Sequence, residues 1–263
     1  MKTTHGMAIC LVLALCAITF AREGRAAGSE AASQATSKWR CPMEDHTALF
    51  DKPGNCPQCG MALVETDKQP PTVAFVITPN ANVIDFSGPW EVFQDASFRL
   101  YSVSDGTDPV VMTGGLKVVP AHTFADAPKP DIVVVGAQSG SPAMLEWLKK
   151  VSESATVMSV CTGAFKLGKA GLLDGHPATT HHDFFNAFEK QFPNVKLQRG
   201  LRWVQSSERV YTAGGLTSGI DLALHLVAKT LGEETARQEA FYMEHSGNGW
   251  KDPAATPVKA QPR

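Results

Sequence analysis

Short runs of apolar and β-branched residues, each followed by a segment with helical patterning, recur along residues 72–246. The clearest runs are 72–78 (TVAFVIT), 131–135 (DIVVV) and 156–160 (TVMSV). Continuous apolar strands separated by helices predict a mostly parallel sheet with helices packed on both faces. The sequence therefore indicates the α/β class and a three-layer sandwich for this part of the chain.

The remaining pattern fills in that sandwich. Further strands are expected over 99–103 and 209–212, with a hairpin joining 110–112 to 117–119. We expect helices over 90–96, 143–150, 163–170, 183–192, 220–231 and 234–244. Ligands of such sheets bind beyond the carboxyl ends of the strands, which singles out the residues that follow Thr78, Val135 and Val160.

The first 27 residues are typical of a secretory signal peptide. Lys2 precedes an uncharged apolar run at 7–21, and the small residues Ala26 and Ala27 follow it. The run is short for a bilayer span, so we expect no stable membrane span after cleavage and a periplasmic or secreted protein. A short membrane anchor that stays in place is the alternative.

The rest of the chain divides into five parts. Residues 28–38 are expected to be flexible, 39–64 to form a compact segment rich in Cys, Pro and Gly, and 65–71 to be a linker. Residues 72–246 are the main domain and 247–263 a loose tail. Hydrophobic residues make up 43% of the chain and exclude intrinsic disorder. A formal net charge of −2 gives no electrostatic basis for binding nucleic acid.

Cysteine positions indicate a metal site near the start of the mature chain. Cleavage of the signal peptide would leave Cys41, Cys56, Cys59 and Cys161. An exported chain meets oxidising conditions, but three clustered thiols cannot all pair with one another, which favours a metal site over a disulfide framework. A disulfide between Cys56 and Cys59 that leaves out Cys41 remains the alternative.

The ligands of that site follow from the same segment. Three thiolates and the imidazole of His46 would make a Cys₃His tetrahedron suited to zinc, whereas the thioethers of Met43 and Met61 would favour copper(I). Residues 39–64 resemble the heavy-metal-binding domain of copper and silver efflux components and P-type ATPases. Residues 51–61 (DKPGNCPQCGM) fit its pattern, but Glu44 occupies the usual histidine position, so a substitution by His46 is left open.

Cys161 stands where a nucleophile would be expected. A β-run ends at Val160 and a helix begins just after the cysteine, so the side chain would project from a sharp strand-to-helix turn. The helix N-terminus would stabilise a thiolate, and the backbone N–H of Thr162 would stabilise an oxyanion. The loop at Gly136 and Ala137 could supply a second N–H group. A buried structural cysteine is the alternative.

Three stretches together resemble the ThiJ/PfpI superfamily: 85–93 (DFSGPWEVF), 159–181 around SVCTGA, and 212–224 (TAGGLTSGIDLAL). The resemblance covers nearly all of the main domain. Its closest branches are the isonitrile hydratases and the amidotransferase-like domains of AraC-type regulators. It implies a flavodoxin-like fold and a homodimer.

The resemblance also assigns roles to residues. In the isonitrile hydratase branch the acid of the D-x-x-G-P motif, here Asp85 with Gly88 as its glycine, lies beside the nucleophile. Its pKa should be raised by like charge and burial, so that it can donate a proton. The alternative is that Asp85 caps a short helix beginning near Gly88. Thr162 replaces the histidine of the PfpI-type proteases and disfavours proteolysis. His181 is the remaining candidate base, or else a helix-start residue beside His182.

The expected function is an exported cysteine-dependent enzyme acting on a small electrophile. The Cys161 thiolate would attack the terminal carbon of an isonitrile, Asp85 would protonate that carbon, and water would release an N-substituted formamide. No cofactor is expected for this catalysis, and zinc or copper would occupy the N-terminal segment. Glyoxalase or deglycase chemistry on carbonyl compounds, a non-catalytic metal-binding or metal-responsive protein, and an AraC-type ligand sensor are the alternatives.

Overall fold

The computed structural model describes residues 38–41, 46–61, 63–67 and 69–254. The expected signal peptide at 1–27 and the expected metal ligand Met43 lie outside these residues. The described residues belong to one compact unit, which contains both the N-terminal metal-binding segment and the main domain. Within the described ranges, no helix is both long enough and apolar enough to cross a bilayer.

The strands and helices follow one another along the whole of that unit. The strands are β1 Trp39–Arg40, β2 Leu49–Phe50, β3 Val64–Glu65, β4 Thr72–Val76, β5 Arg99–Ser104, β6 Val110–Val111, β7 Lys117–Val118, β8 His122–Thr123, β9 Ile132–Val135, β10 Thr156–Ser159, β11 Pro177–Ala178, β12 Lys196–Leu197, β13 Trp203–Gln205 and β14 Val210–Ala213. The helices are α1 Val83–Asp95, α2 Pro142–Ser152, α3 Ala164–Lys169, α4 Phe185–Gln191, α5 Ser218–Leu231 and α6 Glu233–Tyr242.

A seven-stranded sheet in the order β13-β14-β10-β9-β4-β5-β8 forms the middle layer. All neighbours pair in parallel except β13 with β14. Val133 lies between Ala74 and Val157 in register, and all three face the same core. Phe75 and Met158 point to the opposite core.

Helices cover both faces of the sheet. Side chains of α2, α3 and α4 pack in one core, and those of α1, α5 and α6 in the other. The predicted α/β three-layer sandwich with a mostly parallel sheet is therefore confirmed.

Helix α1 begins earlier than predicted. The side chain of Asn82 accepts a hydrogen bond from the N–H of Ile84 and caps the helix, which starts at Val83. Pro89 lies inside the helix rather than at its start, and having no N–H it cannot donate to the carbonyl four residues back. The alternative role of Asp85 as a cap is wrong, because Asp85 sits within the first turn.

The segment expected to be a loose tail packs on the main domain as far as residue 254. Trp250 is buried in the core beneath α5 and α6. The indole N–H of Trp203 donates to the carbonyl of Gly249 at 2.8 Å, and the N–H of Arg202 donates to that of Pro253 at 2.9 Å. The short edge strand β13, which the sequence pattern did not reveal, is thereby covered by the chain's own C-terminal segment.

The metal-binding segment is a small antiparallel sheet in the order β2-β1-β3. Its core consists of Cys41, Cys56 and Leu63, with Trp39 and Phe50 packed against it. A core this small cannot stabilise a folded segment of this length without a crosslink. The cysteines are the side chains here that can supply one.

Candidate functional site

Cys161 lies at the carboxyl end of β10, where a 3₁₀ turn over Cys161–Gly163 leads into α3. Its φ of 57° is left-handed, which is uncommon for a residue with a side chain and marks a strained turn. Two hydrogen bonds hold the strained backbone: the Cys161 N–H donates to the carbonyl of Gly214 at 2.7 Å, and the Thr180 hydroxyl donates to the Cys161 carbonyl at 2.9 Å.

Glycine at position 163 is a steric requirement of this turn. A Cβ atom there would stand 2.0 Å from the carbonyl oxygen of Val135. The turn after β10 therefore packs directly on the end of β9, which brings Cys161 to the sheet edge that the parallel-strand rule selects.

The Cys161 sulfur is held as a thiol. Burial, followed by the negative charge of Asp85, raises the pKa of the Cys161 thiol to about 12. The backbone N–H and hydroxyl of Thr162 and the N–H of Leu216 face the sulfur and oppose this rise. The expectation of a resting thiolate is wrong, because burial and the nearby carboxylate outweigh the helix N-terminus. The residue is 6% exposed, so the sulfur is nearly enclosed.

Asp85 projects from the first turn of α1 and is completely buried. Burial raises the pKa of its carboxyl to about 6, although the N–H of Ala137 donates to Oδ2 at 2.9 Å and lowers it. Oδ1 has no hydrogen-bond partner among the described residues. The raised pKa agrees with the expectation, with burial rather than like charge as its cause.

The glycine-containing loop after β9 contacts Asp85, and a role of Gly136 in stabilising an oxyanion stays a prediction. A Cβ at Gly136 would lie 2.8 Å from the Cβ of Asp85, so the loop backbone rests on that side chain. Because the N–H of Ala137 is committed to the Asp85 carboxylate, the second donor beside the sulfur is Leu216 instead. Gly88 lies where α1 crosses α5, and a Cβ at that position would be only 3.0 Å from the side chain of Ile220.

Sequence reasoning did not single out Leu216. It lies in the turn between β14 and α5 with a φ of 52°, directly after Gly214 and Gly215. The pair of glycines between strand and helix is the sequence feature that could have indicated this turn as part of the site, since glycines allow the backbone to approach another group closely.

His181 occupies the helix-start position given as its alternative role. Its Nδ1 accepts a hydrogen bond from the N–H of Asp183 at 3.2 Å and caps the 3₁₀ turn that follows. Its ring stacks on that of His182 with centroids 4.4 Å apart. The ring also packs on Gly215, where a Cβ would come within 2.2 Å of it. A role as a base stays a prediction.

A second cluster brings together Cys41, His46, Cys56 and Cys59, whose ligand atoms all lie within 4.8 Å of one another. His46 Nδ1 is 3.3 Å from the sulfur of Cys41 and 3.5 Å from that of Cys56, and the sulfurs of Cys41 and Cys59 are 3.5 Å apart. His46 therefore supplies the fourth ligand atom of the cluster, although Glu44 occupies the position of the usual histidine.

The spacing of this cluster fits a metal ion. A tetrahedral ion with metal–sulfur bonds of about 2.3 Å would hold its ligand atoms roughly 3.5 to 3.8 Å apart, close to the distances observed. Although burial raises the pKa of Cys56, the backbone N–H groups of Gln58 and Cys59 and the neighbouring thiols lower it to about 6 overall, which favours the thiolate that a metal needs.

The disulfide alternative is not what the structure holds, because Cys41, Cys56, Cys59 and Cys161 form no disulfide with one another. The N–H of Cys56, the first residue of the C-x-x-C turn, donates to the carbonyl of Met61 at 2.8 Å. A metal-ligating role for the Met61 thioether stays a prediction.

Comparison with known proteins matches two parts of the chain to known families. The family model of DJ-1/PfpI matches residues 71–229, and that of the heavy metal binding domain matches residues 38–66. An isonitrile hydratase of Pseudomonas putida is 31% identical over 182 residues, covering 66% of this chain and 78% of the relative. The regulator CdhR of Pseudomonas aeruginosa is 30% identical over 176 residues, covering 62% of this chain but only 52% of the regulator.

Solved structures agree with that assignment. A ThiJ/PfpI family protein from Pseudomonas syringae superposes with a TM-score of 0.61 at 26% identity, over 68% of this chain and 77% of the other. DJ-1 of Schizosaccharomyces pombe, at 17% identity, shares the fold with a TM-score of 0.57 over 67% of this chain and 99% of the other. The chain therefore belongs to the DJ-1/PfpI family and carries a heavy metal binding domain in front of the family's domain.

Proposed function

We propose that this protein is a cysteine-dependent enzyme that hydrates a small isonitrile to an N-substituted formamide. The supporting observation is the proximity of Asp85 to Cys161: a fully buried carboxylate acts electrostatically on a thiol at a strained turn. The similarity to a relative named isonitrile hydratase points to the same chemistry.

The relative pKa values of the Cys161 thiol and the Asp85 carboxyl define the first step of the reaction. Near neutral pH the proton resides on the Cys161 sulfur and Asp85 is ionised, since their pKa values lie at about 12 and about 6. As the sulfur attacks the terminal carbon of the isonitrile, Asp85 accepts the thiol proton and delivers it to that carbon. The product is a thioimidate, in which the carbon carries the sulfur, one hydrogen and a double bond to nitrogen.

Water completes the turnover. It adds across the carbon–nitrogen double bond, so that nitrogen gains hydrogen and carbon gains hydroxyl. The carbon–sulfur bond then breaks, the sulfur regains its proton, and the formamide leaves. The donors around the sulfur from Thr162 and Leu216 stabilise the leaving thiolate.

Carbonyl compounds are the competing substrate class, because a thiol beside a carboxylate also adds to an aldehyde. A non-catalytic role as a ligand sensor is the other alternative, since several similar proteins are named as transcriptional regulators. We favour hydration of isonitriles because Thr162 follows the cysteine and because this chain covers 78% of the hydratase's own length but only 52% and 56% of the two regulators'.

Turnover of a small alkyl isonitrile by the purified full chain tests this proposal, with the formyl proton of the product followed by NMR. We expect Cys161→Ser and Asp85→Asn to lower the rate at least 100-fold. Cys59→Ser, which removes a thiol from the other cluster, is the matched control and should retain the rate. An absence of formamide, or its formation by Cys161→Ser at the full rate, contradicts the proposal.

We also propose that the Cys41/His46/Cys56/Cys59 cluster holds a single soft d¹⁰ cation, zinc(II) or copper(I). Its four nitrogen and sulfur ligands suit both ions. Elemental analysis of untagged protein should give one ion per chain, and His46→Ala should lower the affinity roughly 10-fold or more. If Met61→Leu weakens copper(I) but not zinc, the thioether is a ligand. Cys161→Ser is the control and should bind the full complement of metal.

We further propose that the protein is exported and that it forms a homodimer. The apolar run at 7–21 supports cleavage of a signal peptide and a periplasmic or secreted location. N-terminal sequencing of protein from the periplasmic fraction tests the first proposal, with a start near residue 28 expected. Sedimentation equilibrium tests the second, with a homodimer expected.

A further inference from the structure

A buried ion pair lies beneath the turn that faces Cys161, and the hydration chemistry described above does not use it. The side chain of Asp221, in the first turn of α5, is 3% exposed. Nε of Arg202 donates to its Oδ2 at 2.6 Å, and another guanidinium nitrogen of Arg202 lies 2.5 Å from the same oxygen. On the other side of the carboxylate, Nε2 of His245 lies 2.9 Å from Oδ1.

Arg202 connects this ion pair to the turn at residues 214–217. Its guanidinium lies 3.4 Å from the hydroxyl of Thr217, and its carbonyl accepts the N–H of Gly214 at 2.9 Å. The carbonyl of Gly214 in turn accepts the N–H of Cys161 at 2.7 Å. The same turn aims the N–H of Leu216 at the sulfur. Both ends of the turn are thus attached to one arginine.

The C-terminal segment closes over the ion pair. A Cβ at Gly249 would stand 2.6 Å from Oδ2 of Asp221, so this backbone rests directly on the carboxylate. The N–H of Arg202 donates to the carbonyl of Pro253 at 2.9 Å. Exclusion of water strengthens the attraction between the two charges and limits the positions that Arg202 can adopt.

We propose that Arg202 and Asp221 are positioning residues for Cys161: their ion pair fixes the 214–217 turn so that the Leu216 N–H stabilises negative charge on the sulfur. This rests on the proposed function for its effect on turnover, but not for its effect on the thiol. A paired, nearly buried guanidinium has one orientation, and a donor held in one orientation stabilises charge without reorganisation.

The reactivity of the Cys161 thiol toward iodoacetamide tests this inference without any substrate. In Asp221→Asn and Arg202→Lys we expect the rate of alkylation of Cys161 at a fixed pH between about 7 and 9, well below the pKa of the thiol, to fall about 10-fold, because a hydrogen bond to a charged group is lost or misaligned. Alkylation at Cys161 is measured by peptide mass spectrometry, so that the other thiols do not contribute.

Two matched controls separate positioning from general damage. Glu239→Gln neutralises another buried acid, and Arg199→Lys shortens an arginine paired with Glu189 at the surface. Both should leave the alkylation profile of Cys161 unchanged. Thr217→Val removes only the hydroxyl that Arg202 contacts, so it tests the connection even if Asp221→Asn does not fold.

The outcomes are distinguishable. Slower alkylation of Cys161 in the folded Arg202, Asp221 or Thr217 variants, with normal near-ultraviolet circular dichroism, supports the inference even if no isonitrile is turned over. Where turnover occurs, kcat should fall with KM nearly unchanged. If Cys161 is alkylated at the wild-type rate in both Arg202→Lys and Thr217→Val, the inference is overturned. The proposal of isonitrile hydration is then judged on its own assay.

Discussion

The carboxylate of Asp85 lies close enough to Cys161 for its negative charge to oppose the ionisation of the thiol. The two residues come from different elements, Asp85 from the first turn of α1 and Cys161 from the turn after β10. Because the carboxyl has a raised pKa and the thiol a still higher one, the pair holds its single proton on sulfur near neutral pH. The acid therefore begins the reaction as a base.

Replacement of Asp85 by asparagine should have opposite effects on thiol ionisation and on turnover. Loss of the negative charge lowers the pKa of Cys161, so the midpoint of its alkylation profile should fall by about one unit. Hydration should slow at least 100-fold, because no group remains to carry the proton to carbon. Asp95→Asn, which neutralises another buried acid with a pKa raised to about 6, is the matched control. An unchanged midpoint in Asp85→Asn would show that the charge does not act on the sulfur.

The rate of isonitrile hydration should depend on pH through Asp85. The reaction requires an ionised Asp85, whose pKa is about 6, so kcat/KM should fall about 10-fold per pH unit below that value and be level from about pH 7 to 9. The rate with Cys161→Ser is subtracted, because isonitriles also hydrolyse in acid. A profile that rises with a midpoint near 8.5, the ordinary value for a free cysteine, would instead indicate that thiol ionisation limits the rate.

Glu239 should make the fold less stable as the pH rises. Burial, followed by the charge of Asp95, raises the pKa of Glu239 to about 8, and the residue is 2% exposed. A raised carboxyl pKa stabilises the folded state fully below the unfolded value of about 4.3, and this contribution is lost as the pH rises through 8. Between those values the free energy of unfolding should fall by about 1 kcal/mol per pH unit.

Glu239→Gln tests this dependence, since it mimics the protonated side chain. Urea unfolding at several pH values should show a weaker pH dependence than in the wild type and a higher stability at pH 8. The control is Glu244→Gln on a more exposed side chain, which should keep the wild-type slope. Equal slopes for Glu239→Gln and the wild type would contradict the assignment.

Gly163→Ala should disrupt the turn that carries Cys161. A Cβ at that position would lie 2.0 Å from the carbonyl oxygen of Val135, a backbone atom that cannot move away alone. We expect a loss of about 3 kcal/mol in the free energy of unfolding. Gly106→Ala, where a Cβ would meet nothing within 4 Å, is the control, and thermal unfolding of the two variants provides the comparison. Equal stability of both would show that β9 and the cysteine turn do not pack as described.

The α/β sandwich and three of the metal ligands in the N-terminal segment could be predicted from the sequence. Apolar runs such as 131–135 favour a strand buried on both faces, and the helices between them favour parallel pairing. The C-x-x-C turn and Cys41 identified three of the metal ligands because thiol chemistry and local spacing are sequence properties. Helix α1 was predicted too short, over 90–96, whereas Asn82 supplies the cap and the helix begins at Val83.

The ionisation state of the site was decided by the tertiary structure alone. The family resemblance implied a raised pKa for Asp85, but nothing in the sequence indicated the burial that raises the pKa of Cys161, since burial depends on how distant segments pack together. Nor did the sequence indicate that Ala137 would bind Asp85, that Leu216 would face the sulfur, or that Trp250 would anchor the C-terminal segment. Residue type and local spacing determine which groups can react, whereas the desolvation and charge that set their protonation arise only where distant segments meet.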